Sequence, residues 1–437
     1  MIRAACRRWG LWVLLLVAAC GPRPDGDPTA SSAPTVEPGW VVSWATAAYD
    51  AGPLARGSVF EDGLDDQTVR NVARLSTGGS QIRLRLSNRL GLEPTTFDAV
   101  TVARGTGGST ADAATLRRVT FAGRDRVSVE AGGQAVSDPV DLEIGGGQDV
   151  VVSLYAAGAT GAVTGHRGGG QTVYVSGPGD HTMSPDGTAF TDHARGWLFL
   201  EAVDVLAPAR VRGAIVALGD STTIGAASTV DENRRWTDVV ARRLANRDEA
   251  EPTFSIVNLA ISGNRMLSDS PCFGESALAR FERDVLAQTG VVAVVLLEGV
   301  NDLGHPDGLA TASDRIRPCI AAPVVSADEM MTAYLGLAEA ARAGGLRIYG
   351  GTILPYGGNP SWTPAAEGTR HAINQAILAD GVFDGVIDFA AAVVDPEDPT
   401  QMAPAFDSGD GLHPGDAGYR AMGDAVDLSL FDPLLAQ

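Results

Sequence analysis

From Val211 onward the chain carries five apolar runs that narrow its choice of fold sharply: Val211 to Leu218, Phe254 to Leu259, Val291 to Leu297, Leu346 to Leu354 and Gly385 to Phe389. A run that is apolar on both faces suits a parallel strand buried between helices, whereas a strand with one wet face alternates. The segments between these runs have helical period. Trp236 to Leu244 repeats apolar residues at Trp236, Val239, Val240 and Leu244, and Glu275 to Leu286 sets Leu278, Phe281, Val285 and Leu286 on one face. Ser326 and Glu329 form a capping box that opens a helix running through Ala343, with Gly344-Gly345 ending it. Strands alternating with helices predict an α/β fold over residues 208–437, a doubly wound, flavodoxin-like parallel sheet. In such a sheet, functional residues lie beyond the carboxyl ends of the strands.

Upstream the patterning is different. In Gln81 to Ser87, Ile82, Leu84 and Leu86 point one way and Arg83 and Arg85 the other, as in a half-buried strand. Phe97 to Ala103, Asp149 to Tyr155, Thr172 to Ser176 and Trp197 to Val205 repeat the style. Gly78-Gly79, Gly145-Gly146-Gly147 and Gly168-Gly169-Gly170 interrupt these runs. Residues 39–207 therefore read as a β-sandwich domain preceding the α/β domain. A chain of 437 residues is long enough for two such domains.

The first twenty residues read as an export signal. Arg3, Arg7 and Arg8 precede an apolar run from Leu11 to Val17, too short to span a bilayer. The run ends in Val17-Ala18-Ala19-Cys20, which resembles the bacterial lipobox and implies lipidation of Cys20; an ordinary cleaved signal peptide is the alternative. Residues 21–38, rich in Pro, Gly, Ser, Thr and Asp, read as a flexible tether. The expectation is an exported lipoprotein at the cell surface or in the periplasm, touching membrane only through its N-terminal lipid. With Cys6 in the signal and Cys20 in the lipobox, Cys272 and Cys319 remain as an even pair. A disulfide is expected, with two separate buried thiols as the alternative. Neither cysteine has a partner at zinc-ligand spacing, and no metal is expected. The formal net charge of -20 repels phosphate backbones and excludes nucleic acid as a partner.

Four short blocks carry chemistry. The first strand ends in Gly219-Asp220-Ser221-Thr222, where a serine at the strand-to-helix turn presents its hydroxyl at the sheet edge. The second runs into Ser262-Gly263-Asn264, whose glycine lets backbone amides approach a substrate. The third ends in Gly299-Val300-Asn301-Asp302. Near the C-terminus, Asp410-Gly411-Leu412-His413 spaces a carboxylate and an imidazole so that one short turn can join them.

These blocks, in this order, resemble those of the SGNH hydrolases, also called GDSL esterases, and the resemblance covers residues 212 to 437. It implies Ser221 as nucleophile, His413 as base oriented by Asp410, and an oxyanion hole from Ser221, Gly263 and Asn301. Thr222 stands where the family commonly has Leu or Ile, a difference expected to alter packing more than chemistry. The two-domain layout is similar to large secreted bacterial members compared with xylan-degrading esterases. The activity implied is hydrolysis of a carboxylic ester through an acyl-enzyme, on short acyl groups such as acetyl carried by a polysaccharide, without a cofactor. A lipase or arylesterase, and a catalytically silent carbohydrate-binding surface protein, are the alternatives.

Plainer roles are available for each residue. Ser221 could be only a helix N-cap, Gly263 a turn glycine, Asn301 a helix cap (with Asp302 the better candidate), and Asp410 a solvated charge. His166, His181, His193, His305 and His371 read as surface or structural. Trp40, Trp44 and Trp197 suit core packing rather than a sugar-stacking platform. Arg265 suits a solvated loop or a substrate contact.

Overall fold

The computed structural model describes residues 39–304, 317–321, 323–379 and 381–436. The signal segment, the tether, Cys20 and His305 lie outside the described residues. Residues 36–437 form one compact unit.

The five apolar runs form one parallel sheet. Its spatial order is Thr253–Asn258, Val211–Gly219, Val291–Leu297, Arg347–Gly351 and Gly385–Ile387. In sequence terms the order is 2-1-3-4-5, and the chain reverses direction across the sheet between the first and third strands. Both faces are dry. Ala214, Val216 and Leu218 join Phe281, Val285 and Leu337 on one side, while Ile215 and Ala217 join Trp236, Tyr419 and Met422 on the other. Each large apolar side chain so buried contributes about 1.5–3 kcal/mol.

Of the helices read from periodicity, Trp236–Ala245 and Ala327–Ala343 form, the latter with both capping-box bonds between Ser326 and Glu329. The third differs. Ala277–Phe281 is α-helical but passes into a π-turn over Glu282–Leu286. Arg280, Phe281, Asp284 and Val285 turn inward, and Leu278 is exposed. Helices Pro364–Leu378 and Asp416–Ala425 complete the layers. No helix among the described residues is long and apolar enough to cross a membrane.

The upstream half is β-sandwich-like, with two antiparallel sheets over a shared apolar core. One sheet orders Trp40–Ala45, Leu200–Leu206, Gly79–Ser87 and Val140–Ile144; the other centres on Gly165–Pro178, Gln67–Arg74 and Asp149–Ala156. Ile82, Leu84 and Leu86 are fully buried, as the alternation requires. The arginine face is not left in water, however. Arg85 donates to Gln288 Oε1 and Thr289 Oγ1 (both 3.3 Å), so the turn before the third parallel strand covers it. Trp40, Trp44 and Trp197 are core residues, with Trp197 Nε1 donating to Val72 O (2.7 Å).

The glycine triplet 168–170 is not a turn. It is a bulge inside one long strand, where the pairing with Asp192–Leu198 slips between Arg167 and Thr172. All three glycines have positive φ, which only glycine adopts freely in succession. The bulge meets the loop that follows the Ser221 helix. Asp231 N donates to Gly170 O (2.8 Å), and the Asp231 carboxylate accepts from Gln171 Nε2 (2.7 Å) and from Thr172 N and Oγ1 (2.6 and 2.7 Å).

The two halves also share a core. Val41, Val42 and Ala45 belong to the apolar cluster of the parallel sheet. Val42 N donates to Thr289 O (2.9 Å), and Ser255 Oγ donates to Val42 O (2.6 Å).

Candidate active site

Ser221 opens the short helix Ser221–Ile224 directly beyond the first parallel strand. It is not the cap. Asp220 is, its Oδ1 accepting from Thr222 N (2.9 Å) and Thr222 Oγ1 (2.8 Å). Thr222 therefore makes a bond that Leu or Ile at that position could not, so the departure concerns hydrogen bonding as well as packing. With Asp220 occupied in capping, the Ser221 hydroxyl is free to face the end of the sheet.

His413 Nε2 lies 2.9 Å from Ser221 Oγ, and His413 Nδ1 lies 2.6 Å from Asp410 Oδ2. The intervening turn is built from local bonds. Asp410 Oδ1 accepts from Leu412 N (2.9 Å) and His413 N (2.8 Å), and Asp407 Oδ1 accepts from Gly409 N and Gly411 N (2.9 and 3.1 Å). Partial burial opposes ionisation of Asp410. The bonds from the His413 ring and from the two amides outweigh it and hold the carboxyl well below its ordinary range. An ionised Asp410 accepts from Nδ1–H and leaves Nε2 as the lone-pair nitrogen toward Ser221.

Gly263 and Asn301 stand beside this row. Gly263 has φ +77, and the Phe273 ring lies against it so closely that a Cβ would come within 2.5 Å of the ring. No other residue fits there without displacement. Asn301 sits within the short helix Val300–Gly304 and donates through Nδ2 to Asn264 O (2.9 Å), which leaves its second amide hydrogen for another acceptor. Ser221, Gly263, Asn301 and His413 all line one cavity of about 240 Å³, with Phe273, Ile320 and Leu412 supplying apolar walls.

Two neighbours differ from their sequence reading. Asp302 caps no helix; it is buried, and its carboxylate accepts from Met266 N (2.8 Å) and Leu267 N (3.1 Å), pinning the loop that carries Gly263. Burial raises its pKa to about 6 against those bonds. Arg265 is not solvated, although it contributes to the lining of the Ser221 cavity. It is buried, and its guanidinium donates to Cys319 O (2.9 Å) and Ala321 O (3.0 Å). Cys272 and Cys319 form a disulfide with Cα atoms 5.2 Å apart. Of the remaining histidines, His166 is a core residue bonded through Nδ1 to Ala47 O (2.8 Å), with burial lowering its pKa to about 4. Among the described residues no cluster of His, Cys, Asp and Glu is arranged to hold a metal ion.

Arg280 escaped the sequence reading. It is fully buried beneath the site, and Nε donates to Asn264 Oδ1 (2.9 Å), Nη1 to Leu259 O (2.5 Å) and Nη2 to Gly219 O (3.1 Å). One guanidinium thus joins the ends of the first two strands to the loop whose carbonyl holds Asn301. Asp284 pairs with it at 3.1 Å, and Glu298 Oε2 lies 3.9 Å away. Burial, reinforced by Asp220, pushes the Glu298 pKa well above the carboxylate range. The available signal was Arg280 and Asp284 placed i,i+4 on the same face as Phe281 and Val285.

Residues 217–421 match the GDSL-like Lipase/Acylhydrolase family. No curated protein matches the chain. Among solved structures, a putative acylhydrolase from Bacteroides fragilis is similar at 19% identity over 51% of this chain and 88% of its own, with TM-score 0.34. A putative lipolytic protein of the G-D-S-L family from Desulfitobacterium hafniense is similar at 18% identity, 48% and 96% coverage, and TM-score 0.35. An acetylxylan esterase from Geobacillus stearothermophilus shows 21% identity, 48% and 91% coverage, and TM-score 0.36. The parallel sheet, with a serine at the end of its first strand and a histidine reaching it from a late loop, therefore lies in a GDSL-like Lipase/Acylhydrolase domain, which supports classing the protein as a carboxylic ester hydrolase.

Proposed function

We propose that Ser221 is the nucleophile of an exported esterase that removes short acyl groups, acetyl above all, from carbohydrate. The observation that carries this reading is the continuous row Asp410 Oδ2, His413 Nδ1, His413 Nε2 and Ser221 Oγ, at 2.6 and 2.9 Å. His413 takes the Ser221 proton as Oγ attacks the ester carbonyl, and then gives it to the departing alcohol. Water, activated by the same imidazole, releases the acid and restores Ser221. The amides of Ser221 and Gly263 and the free Nδ2–H of Asn301 are the donors for the oxyanion. Asp410 keeps the imidazole oriented and stabilises its protonated form.

The small cavity and its apolar walls support a short acyl group. The exposed flank, where the Asp410 side chain is 46% accessible, leaves room for a bulky alcohol such as a polymer hydroxyl. The buried tryptophans of the sandwich add no stacking surface, so the carbohydrate assignment rests on the shape of this flank. The Cys272–Cys319 bond supports an oxidising compartment, and the Val17-Ala18-Ala19-Cys20 segment supports a lipid anchor at Cys20.

Acid release from acetylated xylan, measured against long-chain glycerides, tests the substrate. Acetate release that disappears in Ser221→Ala, with the fold retained, is the expected result. A preference for glycerides would replace the substrate class, and residual turnover by Ser221→Ala would remove the nucleophile.

A further inference from the structure

The directions in which a bound ester must point divide the Ser221 cavity into two sides. The leaving oxygen has to lie near His413 Nε2, which returns the proton, so the alcohol occupies the His413 and Leu412 side. The oxyanion faces Gly263 and Asn301. For the remaining substituent of the tetrahedral centre, the acyl chain, Phe273 and Ile320 supply the large apolar side chains among the other lining residues.

These two residues come from loops far apart in sequence, yet each directly follows one of the bonded cysteines. Cys272 precedes Phe273, Cys319 precedes Ile320, and both half-cystines are fully buried. Further bonds fix the same assembly. Arg265 Nη2 and Ser270 Oγ both donate to Cys319 O (2.9 Å each), and Asn264 Nδ2 donates to Phe273 O (3.0 Å). The Phe273 ring is pressed on Gly263. Oxyanion loop, ring and Ile320 are thus joined by one covalent link and several buried hydrogen bonds. The cavity, about 240 Å³, falls below the range of about 300–1,000 Å³ usual for drug-sized ligands.

We infer that Phe273 and Ile320, held across the Cys272–Cys319 disulfide, form a rigid end wall that limits the acyl group to a few carbons. This rests on Ser221 being the nucleophile. A wall tied to the oxyanion loop cannot yield to a longer chain without moving Gly263, so selectivity and oxyanion geometry are coupled. The disulfide acts here as a specificity element in addition to a staple.

The test uses the full chain and the ratio of kcat/KM for p-nitrophenyl octanoate to that for the acetate. The wild-type protein is expected to favour acetate. Phe273→Ala and Ile320→Ala are each expected to raise the ratio by about tenfold or more, as removed methylenes in an apolar pocket do. The Cys272→Ser/Cys319→Ser double variant is expected to raise it in the same direction with Phe273 and Ile320 in place. The ratio, rather than either rate alone, is the readout because loss of the ring also loosens Gly263. Should the double variant fail to fold, Ile320→Ala decides the matter, since it leaves the disulfide and Phe273 untouched. An unchanged ratio in folded Ile320→Ala overturns the inference alone. If the wild-type protein hydrolyses neither ester and Ser221 resists a small organophosphonate, the nucleophile assignment falls and takes this inference with it.

Discussion

Replacing Asn301 tests the site beyond the serine and histidine. Its Nδ2 has two hydrogens, one given to Asn264 O at 2.9 Å and one left for the oxyanion. Asn301→Ala removes both bonds. Loss of an oxyanion donor lowers kcat by about 10²–10³-fold, or about 2.7–4 kcal/mol, with KM little changed because the bond strengthens only in the transition state. Loss of the bond to the Asn264 carbonyl costs about 1 kcal/mol of stability, a small shift in melting temperature. Asn301→Asp separates the two effects from simple loss of shape. A carboxylate would face the Asn264 carbonyl with no hydrogen to give and would repel the developing oxyanion, so this variant is expected to be at least as inactive as Ala and less stable. Steady-state kinetics on a chromogenic acetate ester, paired with thermal melts, measure both. An Asp variant within a few-fold of wild-type kcat would refute the assignment, since residue 301 then has no side-chain hydrogen to give the oxyanion.

Arg280→Met should remove three donations, to Gly219, Leu259 and Asn264, and one of the two arginines paired with buried Asp284, which keeps Arg283 at 2.6 Å. Each buried acceptor that loses its donor costs about 1–3 kcal/mol, so a loss of several kcal/mol in chemical denaturation is expected, and a loss under 1 kcal/mol would contradict the anchoring role. The buried acids set a pH dependence whose sign is fixed. Asp302 rises from 3.8 to about 6 on folding, so the unfolded chain gives up this proton first and stability falls as pH rises across that window, by about 3 kcal/mol. Glu298, raised well above 4.5 by burial, carries the decline to higher pH. The lowered Asp410 acts below pH 3.8, outside this window. Buried His166, lowered from 6.5 to about 4, acts with the opposite sign below pH 6.5 and opposes Asp302 there; from pH 6.5 to 8, melting temperatures should fall in the wild-type protein and fall less in Glu298→Gln, and equal slopes would show that Glu298 does not titrate there.

The parallel sheet was legible because burial on both faces forces uninterrupted apolar runs, and the first three blocks were legible because each follows the end of a strand. Asp410 and His413 could be paired from a spacing of three because one turn closes over it. What escaped were features set by tertiary context. The buried face runs through Ala277, Arg280, Phe281, Asp284 and Val285, and its two charged members hide it from a count of apolar residues, which is why Leu278 was placed inside and Arg280 was not. Arg265 and Asp302 look like loop polarity in sequence, yet each is buried by satisfying backbone groups of a distant segment. Gly168-Gly169-Gly170 carries the composition of a turn, and its partners in Asp231 and Trp197 lie too far along the chain for local reasoning to find. Helices Pro364–Leu378 and Asp416–Ala425 bury polar and small residues in the same face as their apolar ones, Arg370 and Asn374 in the first and Gly418 and Gly423 in the second, and this masks their period.

One contact described with the fold bears on solubility. Thr253–Asn258 is the outermost strand of the parallel sheet, and an outermost strand exposes unpaired backbone groups that can recruit another chain. Here Trp40–Ala45 lies along it, and Ser76 Oγ accepts from Ile256 N (3.3 Å) while meeting Ser255 Oγ at 2.7 Å. The sandwich half thus serves as an edge guard for the hydrolase half. A fragment beginning at residue 208 would retain every residue of the catalytic row and yet present a bare strand beside the apolar surface vacated by Val41 and Val42. Its failing would be self-association rather than lost chemistry, and a charge in place of Ser255, whose hydroxyl faces the sandwich half, would be the route to a working minimal enzyme.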